Sequence, residues 1–253
     1  MKKDTTPFFV GYLKPAKKLR QFLVAVGLGL AVVLTLFGLA IGSTQDDPGD
    51  GAFRFDYGRQ TITGVVEMLP YPILHVTKGS KRVPTGETLM LSAGGKAGVS
   101  SRAAKFEGKS VTASGIVLQR GTLNMLQLRG GKNGLKGAEG DAPIPTPEPL
   151  GRWKLAGEIC DGKCLAGAMR PGRGLAHKAC AALCLIGDIP PVFVSSKPVE
   201  GSEFLLVLNE DGSPLPKSAY DYISQFISVE ADVSRHGSML VMKIDPETLE
   251  VLE

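Results

Sequence analysis

Histidine is scarce in this chain: its 253 residues contain three, His75, His177 and His236. Neither a Gly-x-Ser-x-Gly elbow nor a His-Glu-x-x-His pair occurs, so hydrolase chemistry lacks its usual carriers. Gly94-Gly95-Lys96-Ala97-Gly98 has too few residues, in the wrong order, for a phosphate-binding loop. There are four cysteines and no Cys-x-x-Cys pair. That spacing argues against a zinc ribbon, a c-type haem attachment and the usual redox-active dithiol.

Strong charge is missing as well once the N-terminus is set aside. The first 20 residues hold six Lys or Arg and one Asp; their +5, against +4 for the whole chain, leaves −1 for the rest. A near-neutral body does not carry the electrostatic footprint of a nucleic-acid binder. No nucleic-acid partner is expected.

What is present begins with a charge-free run of 21 residues, 22–42. At helical rise it covers about 30 Å, the thickness of a bilayer core. It exceeds the roughly 7–15 apolar residues of a signal peptide, so an uncleaved anchor is expected. Lys2, Lys3, Lys14, Lys17, Lys18 and Arg20 precede it, and Asp46, Asp47 and Asp50 follow. That bias puts the N-terminus in the cytoplasm of a bacterial inner-membrane protein and the bulk in the periplasm or outside. Gly38 and Gly42 give one Gly-x-x-x-Gly spacing, a close-approach pattern that also arises by chance in glycine-rich spans.

After a tether over 43–59, runs rich in β-branched and apolar residues at 62–68, 72–76, 88–91, 110–119 and 123–128 predict short strands. Arg120-Gly121 marks a hairpin turn between the last two. The order then repeats: Thr88-Leu89-Met90-Leu91 matches Phe204-Leu205-Leu206-Val207, and Ala103, Phe106, Val117, Gly121 and Leu128 match Ala219, Tyr222, Val233, Gly237 and Ile244, all 116 residues on. Thr63-Gly64-Val65 matches Ala156-Gly157-Glu158 only 93 residues on. The second copy therefore carries 23 extra residues, and the 21 from Cys164 to Cys184 fit that gap.

The expected fold is mainly β: a transmembrane helix, then two similar small barrels of the oligonucleotide/oligosaccharide-binding (OB) type, the second with a short Cys/His-bearing helical insertion. An Ig-like sandwich needs more strands per copy. The expected boundaries are a basic cytoplasmic tail at 1–21, the span at 22–42, the tether at 43–59, a first module at 60–135, a Pro-rich linker at 136–152 and a second module at 153–253 with its insertion at about 160–187. Prolines at every second position of 143–149 make the linker an extended spacer.

The cysteines, Cys160, Cys164, Cys180 and Cys184, all fall in 157–191 together with His177. Residues 174–186 are Ala- and Leu-rich and predict a short helix ending at Gly187, with His177, Cys180 and Cys184 on one face. Two equally spaced pairs outside the cytoplasm allow two disulfides bracing the insertion, and the nested pairing Cys160–Cys184 with Cys164–Cys180 is one of three. The alternative makes Cys164, His177, Cys180 and Cys184, with Cys160 as a further candidate, ligands of a metal ion, an iron–sulfur centre or haem. His75 is expected to face solvent from a half-buried strand, and His236 to sit in a hairpin turn.

Gly157-Glu158-Ile159-Cys160-Asp161-Gly162-Lys163-Cys164, His177-Lys178-Ala179-Cys180-Ala181-Ala182-Leu183-Cys184 and Ile189-Pro190-Pro191 resemble a motif of uncharacterised bacterial membrane-associated proteins with no established activity. That motif has Val at the position of Cys160 and matches at Cys164, His177, Cys180 and Cys184. The resemblance implies only that these four positions belong together. With Cys160 set aside, the odd number of thiols favours a Cys/His ligand set, or one disulfide plus a free thiol.

The expected role is a non-catalytic accessory or assembly subunit of a membrane redox complex, whose insertion binds metal or cofactor or docks other membrane-protein subunits. The alternatives are a disulfide-braced interaction module and, third, a thiol oxidoreductase. Protease added to intact spheroplasts should digest everything beyond about residue 43 and leave the basic tail protected; protection of the cysteine segment would refute this orientation.

Overall fold

The computed structural model describes residues 16–43, 49–140 and 142–252. Lys2, Lys3, Lys14, Asp46 and Asp47 lie outside the described residues. The chain divides into two units, residues 1–47 and 48–253. In the first, the apolar run forms helix α1, Lys17–Ser43, which begins among the basic residues and buries none of its side chains. It is long and apolar enough to cross a membrane.

The second unit holds two closed barrels of five strands each. A two-residue strand, β1 (Ala52–Phe53), leads into the first, which consists of β2 (Gln60–Leu69), β3 (Tyr71–Lys78), β4 (Thr88–Ser92), β5 (Ser110–Arg120) and β6 (Leu123–Leu128). A short β7 (Leu135–Gly137) pairs with β5. The second barrel consists of β8 (Glu148–Asp161), β9 (Pro191–Val199), β10 (Ser202–Asn209), β11 (Ile227–His236) and β12 (Met239–Ile244), with β13 (Glu250–Val251) along β11. Helix α2 (Ser100–Ala103) and the 3-10 turn Ala104–Phe106 join β4 to β5, and the 3-10 turn Lys217–Tyr222 stands at the same place in the second barrel. The alternating proline stretch runs into the start of β8, whose second residue is Pro149.

Both barrels use one pairing scheme. The first strand is antiparallel to the second and fourth, the third is antiparallel to the second and parallel to the fifth, and the fourth and fifth form a hairpin. The second barrel repeats each of these pairings. Register repeats too. Met90 pairs with Met125 and Leu206 with Val241, both partners 116 residues on. Ile62 pairs with Ala113 and Leu155 with Val229, so the first strand is shifted by 93. Leu74 pairs with Leu89 and Phe193 with Leu205, so the second strand is shifted by 119. Counted between equivalent residues, the step from the first strand to the second is thus 26 residues longer in the second barrel and the next step three shorter, which together make the difference of 23. In the first barrel the connection between the first two strands is Pro70; in the second it runs over 162–190.

Inward residues fill each barrel, among them Ile62, Val66, Leu74, Leu89, Val117 and Leu126 in the first and Leu155, Ile159, Phe193, Leu205, Val233 and Met242 in the second. Strands β3 and β4 are buried on both faces. Their outward residues, with Met125 of β6, meet the other barrel in a third core, where Ile73, Met90 and Met125 pack with Val192, Leu206 and Val241. These are equivalent residues of the two barrels, so the interface is self-complementary in the manner of a twofold dimer.

The rim of this interface carries a buried polar cluster. Glu67 accepts from His75 Nε2 at 2.7 Å and from His236 Nδ1, on the other barrel, at 2.9 Å. Thr88 N donates to Ser238 Oγ at 2.8 Å, and Ser238 N donates back to Thr88 Oγ1 at 3.1 Å. His75 is therefore not solvent-facing: it is 5 % exposed, because the face a lone barrel would leave wet is covered by the second. His236 ends β11 and is buried rather than lying in the turn. On the equivalent opposite rim Cys160 stands at the position of Glu67 and Arg120 at that of His236. Arg120 lies 5.9 Å over the Phe204 ring, and its Nε and Nη1 have no hydrogen-bond partner among the described residues.

Burial alone would raise the Glu67 carboxyl, but the hydrogen bonds from His236 and His75 outweigh it and hold the group at about 2, against an ordinary 4.5. A depressed carboxylate contributes stability that is complete above the unfolded value and is lost as pH falls through the folded one. Unfolding free energy should therefore drop between about pH 4.5 and pH 2, by on the order of 3 kcal/mol from this residue. Denaturant titrations of Glu67→Gln should show a lower plateau at neutral pH and a flatter acid limb; an unchanged acid limb would contradict the assignment.

Candidate metal centre

The long connection of the second barrel is built on Asp161, the last residue of β8. One carboxylate oxygen accepts from Cys164 N at 2.8 Å and turns the chain into a single irregular helical turn, Cys164–Ala168. The other oxygen pairs with His177 Nε2 at 3.0 Å. His177 ends the 3-10 turn Leu175–His177 and leads directly into helix α3, Lys178–Ile186. Asp161 and His177 are both buried. One aspartate thus fixes both ends of the cysteine segment.

Helix α3 follows from its Ala- and Leu-rich sequence and ends at Gly187. Cys180 and Cys184 are one turn apart and project to one side. Cys164 faces them, its sulfur 4.0 Å from Cys180 Sγ and 3.9 Å from Cys184 Sγ. All three sulfurs lie within 4.8 Å of one another, and Asp161, Cys164 and His177 form a second such group sharing Cys164. His177 therefore adjoins the thiol triad through Cys164 and Asp161 rather than completing it as a fourth equal member.

Cys160 is elsewhere. It is fully buried on β8, beside Glu158 Oε2 at 3.9 Å, and burial, reinforced by Glu158 and Asp161, pushes its thiol up to about 12. The two-disulfide alternative, Cys160–Cys184 with Cys164–Cys180, does not form: all four cysteines are free thiols. An S–S bond is about 2.0 Å, and the cysteines divide into a trio and a single residue instead of two pairs.

The first barrel completes the site. Its loop between β4 and α2, residues 93–99, lies against the end of α3. Lys163 buries its ammonium and donates to the carbonyls of Ala93 and of Gly95, the latter at 2.8 Å. Gly98 N donates to Gly187 O at 2.7 Å. The Asp188 carboxylate accepts from Ser100 N at 3.0 Å and Ser100 Oγ at 2.9 Å, capping α2 from the other barrel. A side chain at Gly187 would strike the Lys96 carbonyl, and one at Gly98 would strike that of Asp188; the approach requires glycine on both sides. Lys96 is thereby placed over the thiols, its Nζ 2.7 Å from Cys180 Sγ and 3.3 Å from Cys184 Sγ.

The electrostatics follow from these contacts. Cys184 is held below the ordinary thiol value because the Cys164 thiol donates to it and Lys96 adds its charge, against the cost of burial. Cys164 is raised, since it keeps its proton for Cys184 and is itself buried. Lys96 is raised by its bond to Cys180, and Lys163 is lowered by burial. The site is a soft donor set in which Cys184 gives up its proton more readily than an ordinary thiol, with two ammonium groups at hand to offset negative charge.

Three participants carry little sequence signal: Asp161, Lys163 and Lys96. The first two lie within three residues of Cys164, at and just beyond the buried end of β8, which is a usable cue. Lys96 sits among glycines 84 residues before Cys180, and only the packing of one barrel on the other brings it there. Compared with models of known protein families, with curated proteins and with solved structures, the chain finds no match.

Proposed function

We propose that this chain is a membrane-anchored, non-catalytic protein that holds one thiophilic metal ion on Cys164, Cys180 and Cys184. The observation that carries the reading is the spacing of the three sulfurs. Thiolates bound to one zinc-like ion at about 2.3 Å in tetrahedral geometry stand about 3.8 Å apart; Cys164 Sγ stands 4.0 Å from Cys180 Sγ and 3.9 Å from Cys184 Sγ, and all three lie within 4.8 Å of one another. Sulfurs this close together suit one ion better than a multi-iron cluster or a porphyrin. Thiolate ligands select zinc or copper(I) among biological ions. His177 and Asp161 then act as the outer shell that orients Cys164. Three thiolates on a divalent ion carry one excess negative charge, which Lys96 offsets.

The two barrels fit OB-like modules, supported by the shared strand order with a short helix or turn between the third and fourth strands. The recurring register supports a duplication, with 164–189 inserted into the second copy. Residues that are not needed to close a barrel are free to serve chemistry. In this reading α1 anchors the protein in the inner membrane with the barrels outside, and the protein serves as an accessory or assembly subunit of a membrane redox complex. Leu175, Leu183 and Ile186, exposed beside the thiols, offer other subunits an apolar ridge.

Metal analysis of the purified full-length protein should find close to one ion per chain. Cys164→Ser, Cys180→Ser and Cys184→Ser should each abolish stoichiometric binding, while His177→Ala should weaken it about 10–100-fold, the usual effect of losing an outer-shell partner. Cys160→Ser should bind as the parent does. Undiminished occupancy in Cys180→Ser and Cys184→Ser would refute the site.

A further inference from the structure

The placement of Lys96 exceeds what charge balance at a metal site requires. Its amine is delivered from a different barrel by backbone contacts on both sides of it: Lys163 holds Ala93 and Gly95, and Gly98 is tied to Gly187. The Nζ atom also reaches the Cys180 carbonyl at 3.2 Å, which aims it along the first turn of α3. It stands 2.7 Å from Cys180 Sγ. Even N–H···O bonds, to a smaller acceptor, centre on about 2.9–3.0 Å, so this contact is closer than a hydrogen bond to sulfur ordinarily comes. Two single bonds of about 1.5 Å meeting at a tetrahedral angle span about 2.5 Å. The nitrogen and sulfur are thus close to the separation of atoms joined through a single bridging atom.

We propose that Lys96 and Cys180 form a covalent Nζ–O–Sγ cross-link when the thiols are free of metal and dioxygen is present. The reaction consumes one thiol, one neutral amine and one dioxygen. The S–H bond and one N–H bond break, and S–O and O–N bonds form. One oxygen atom stays in the bridge, and the other leaves as water with the two hydrogens released. Sulfur and nitrogen give up two electrons each, and dioxygen takes the four. An amine that starts as ammonium first releases a proton to solvent. Two equivalents of a dithiol return the four electrons and restore thiol, amine and water.

Cys180 is the partner because it is the one thiol of the trio that is partly exposed, and it is closer to the amine than Cys184, which is buried. The link would tie the first barrel's loop to α3 and remove one of the three sulfurs, so the cross-linked protein would bind no metal at the trio. The chemistry needs only the amine, the thiol and dioxygen. It stands whether or not the trio ever holds an ion.

The test is intact-mass spectrometry of full-length protein, stripped of metal by chelator in detergent and split into aerobic and anaerobic halves. The aerobic half should be heavier by about 14 Da, one oxygen gained and two hydrogens lost. Dithiothreitol should reverse the shift, and digestion should yield a peptide pair joined through Lys96 and Cys180. Lys96→Arg and Cys180→Ser should not shift. An unchanged mass overturns the proposal. So does a loss of about 2 Da, which marks a disulfide within the trio, or a gain of about 16 or 32 Da without a joined peptide, which marks simple thiol oxidation. Metal content measured on the untreated protein reports separately on the ligand-site reading.

Discussion

Among the described residues no strand pairing joins the two barrels, so everything in the second unit depends on the apolar outer faces through which they meet. Ile73, Met90 and Met125 of one are buried against Val192, Leu206 and Val241 of the other. Because these are equivalent residues, the contact brings the first connection of each barrel against the loop after the other's third strand. On one side the result is small: the Tyr71 hydroxyl reaches Leu215 N at 3.3 Å. On the other side the connection has grown, and the same contact becomes the seat of the thiol trio, with Lys163 and Asp188 gripping residues 93–100. Removing the interface would leave the trio with neither Lys96 nor its backing.

The two rims show what a duplicated scaffold can do with one geometry. At the first, a carboxylate between two histidines is satisfied on both oxygens. At the second, the corresponding positions hold a neutral thiol and a guanidinium with unpartnered nitrogens, and burying such groups costs stability. The less satisfied rim lies on the side of the long connection, the pattern expected where function and packing compete.

Much of this was legible in the chain. The strands were readable because β-branched residues cluster between turn residues, and both the 116-residue offset and the 23-residue excess reappear in strand register. Helix α3 was readable from Ala and Leu content and Gly187. What failed did so for physical reasons. His75 reads as solvent-facing because alternation on a strand cannot reveal that a second barrel covers the outer face. The paired disulfides followed from the even count and equal spacing of the cysteines. Yet Cys160 projects to the interface rim, where Glu67 stands in the other barrel, while Cys164 lies beyond the turn that Asp161 caps. Lys96 reads in the sequence only as part of a glycine-rich stretch that does not make a phosphate loop; its partners are fixed only by tertiary contact.

The central claim is that the three sulfurs form one ligand set. X-ray absorption at the zinc edge of zinc-loaded protein measures this directly, since sulfur and lighter ligands differ in distance. The structure predicts three sulfurs at about 2.3 Å with one nitrogen or oxygen completing the shell. A shell with fewer than three sulfurs would contradict it.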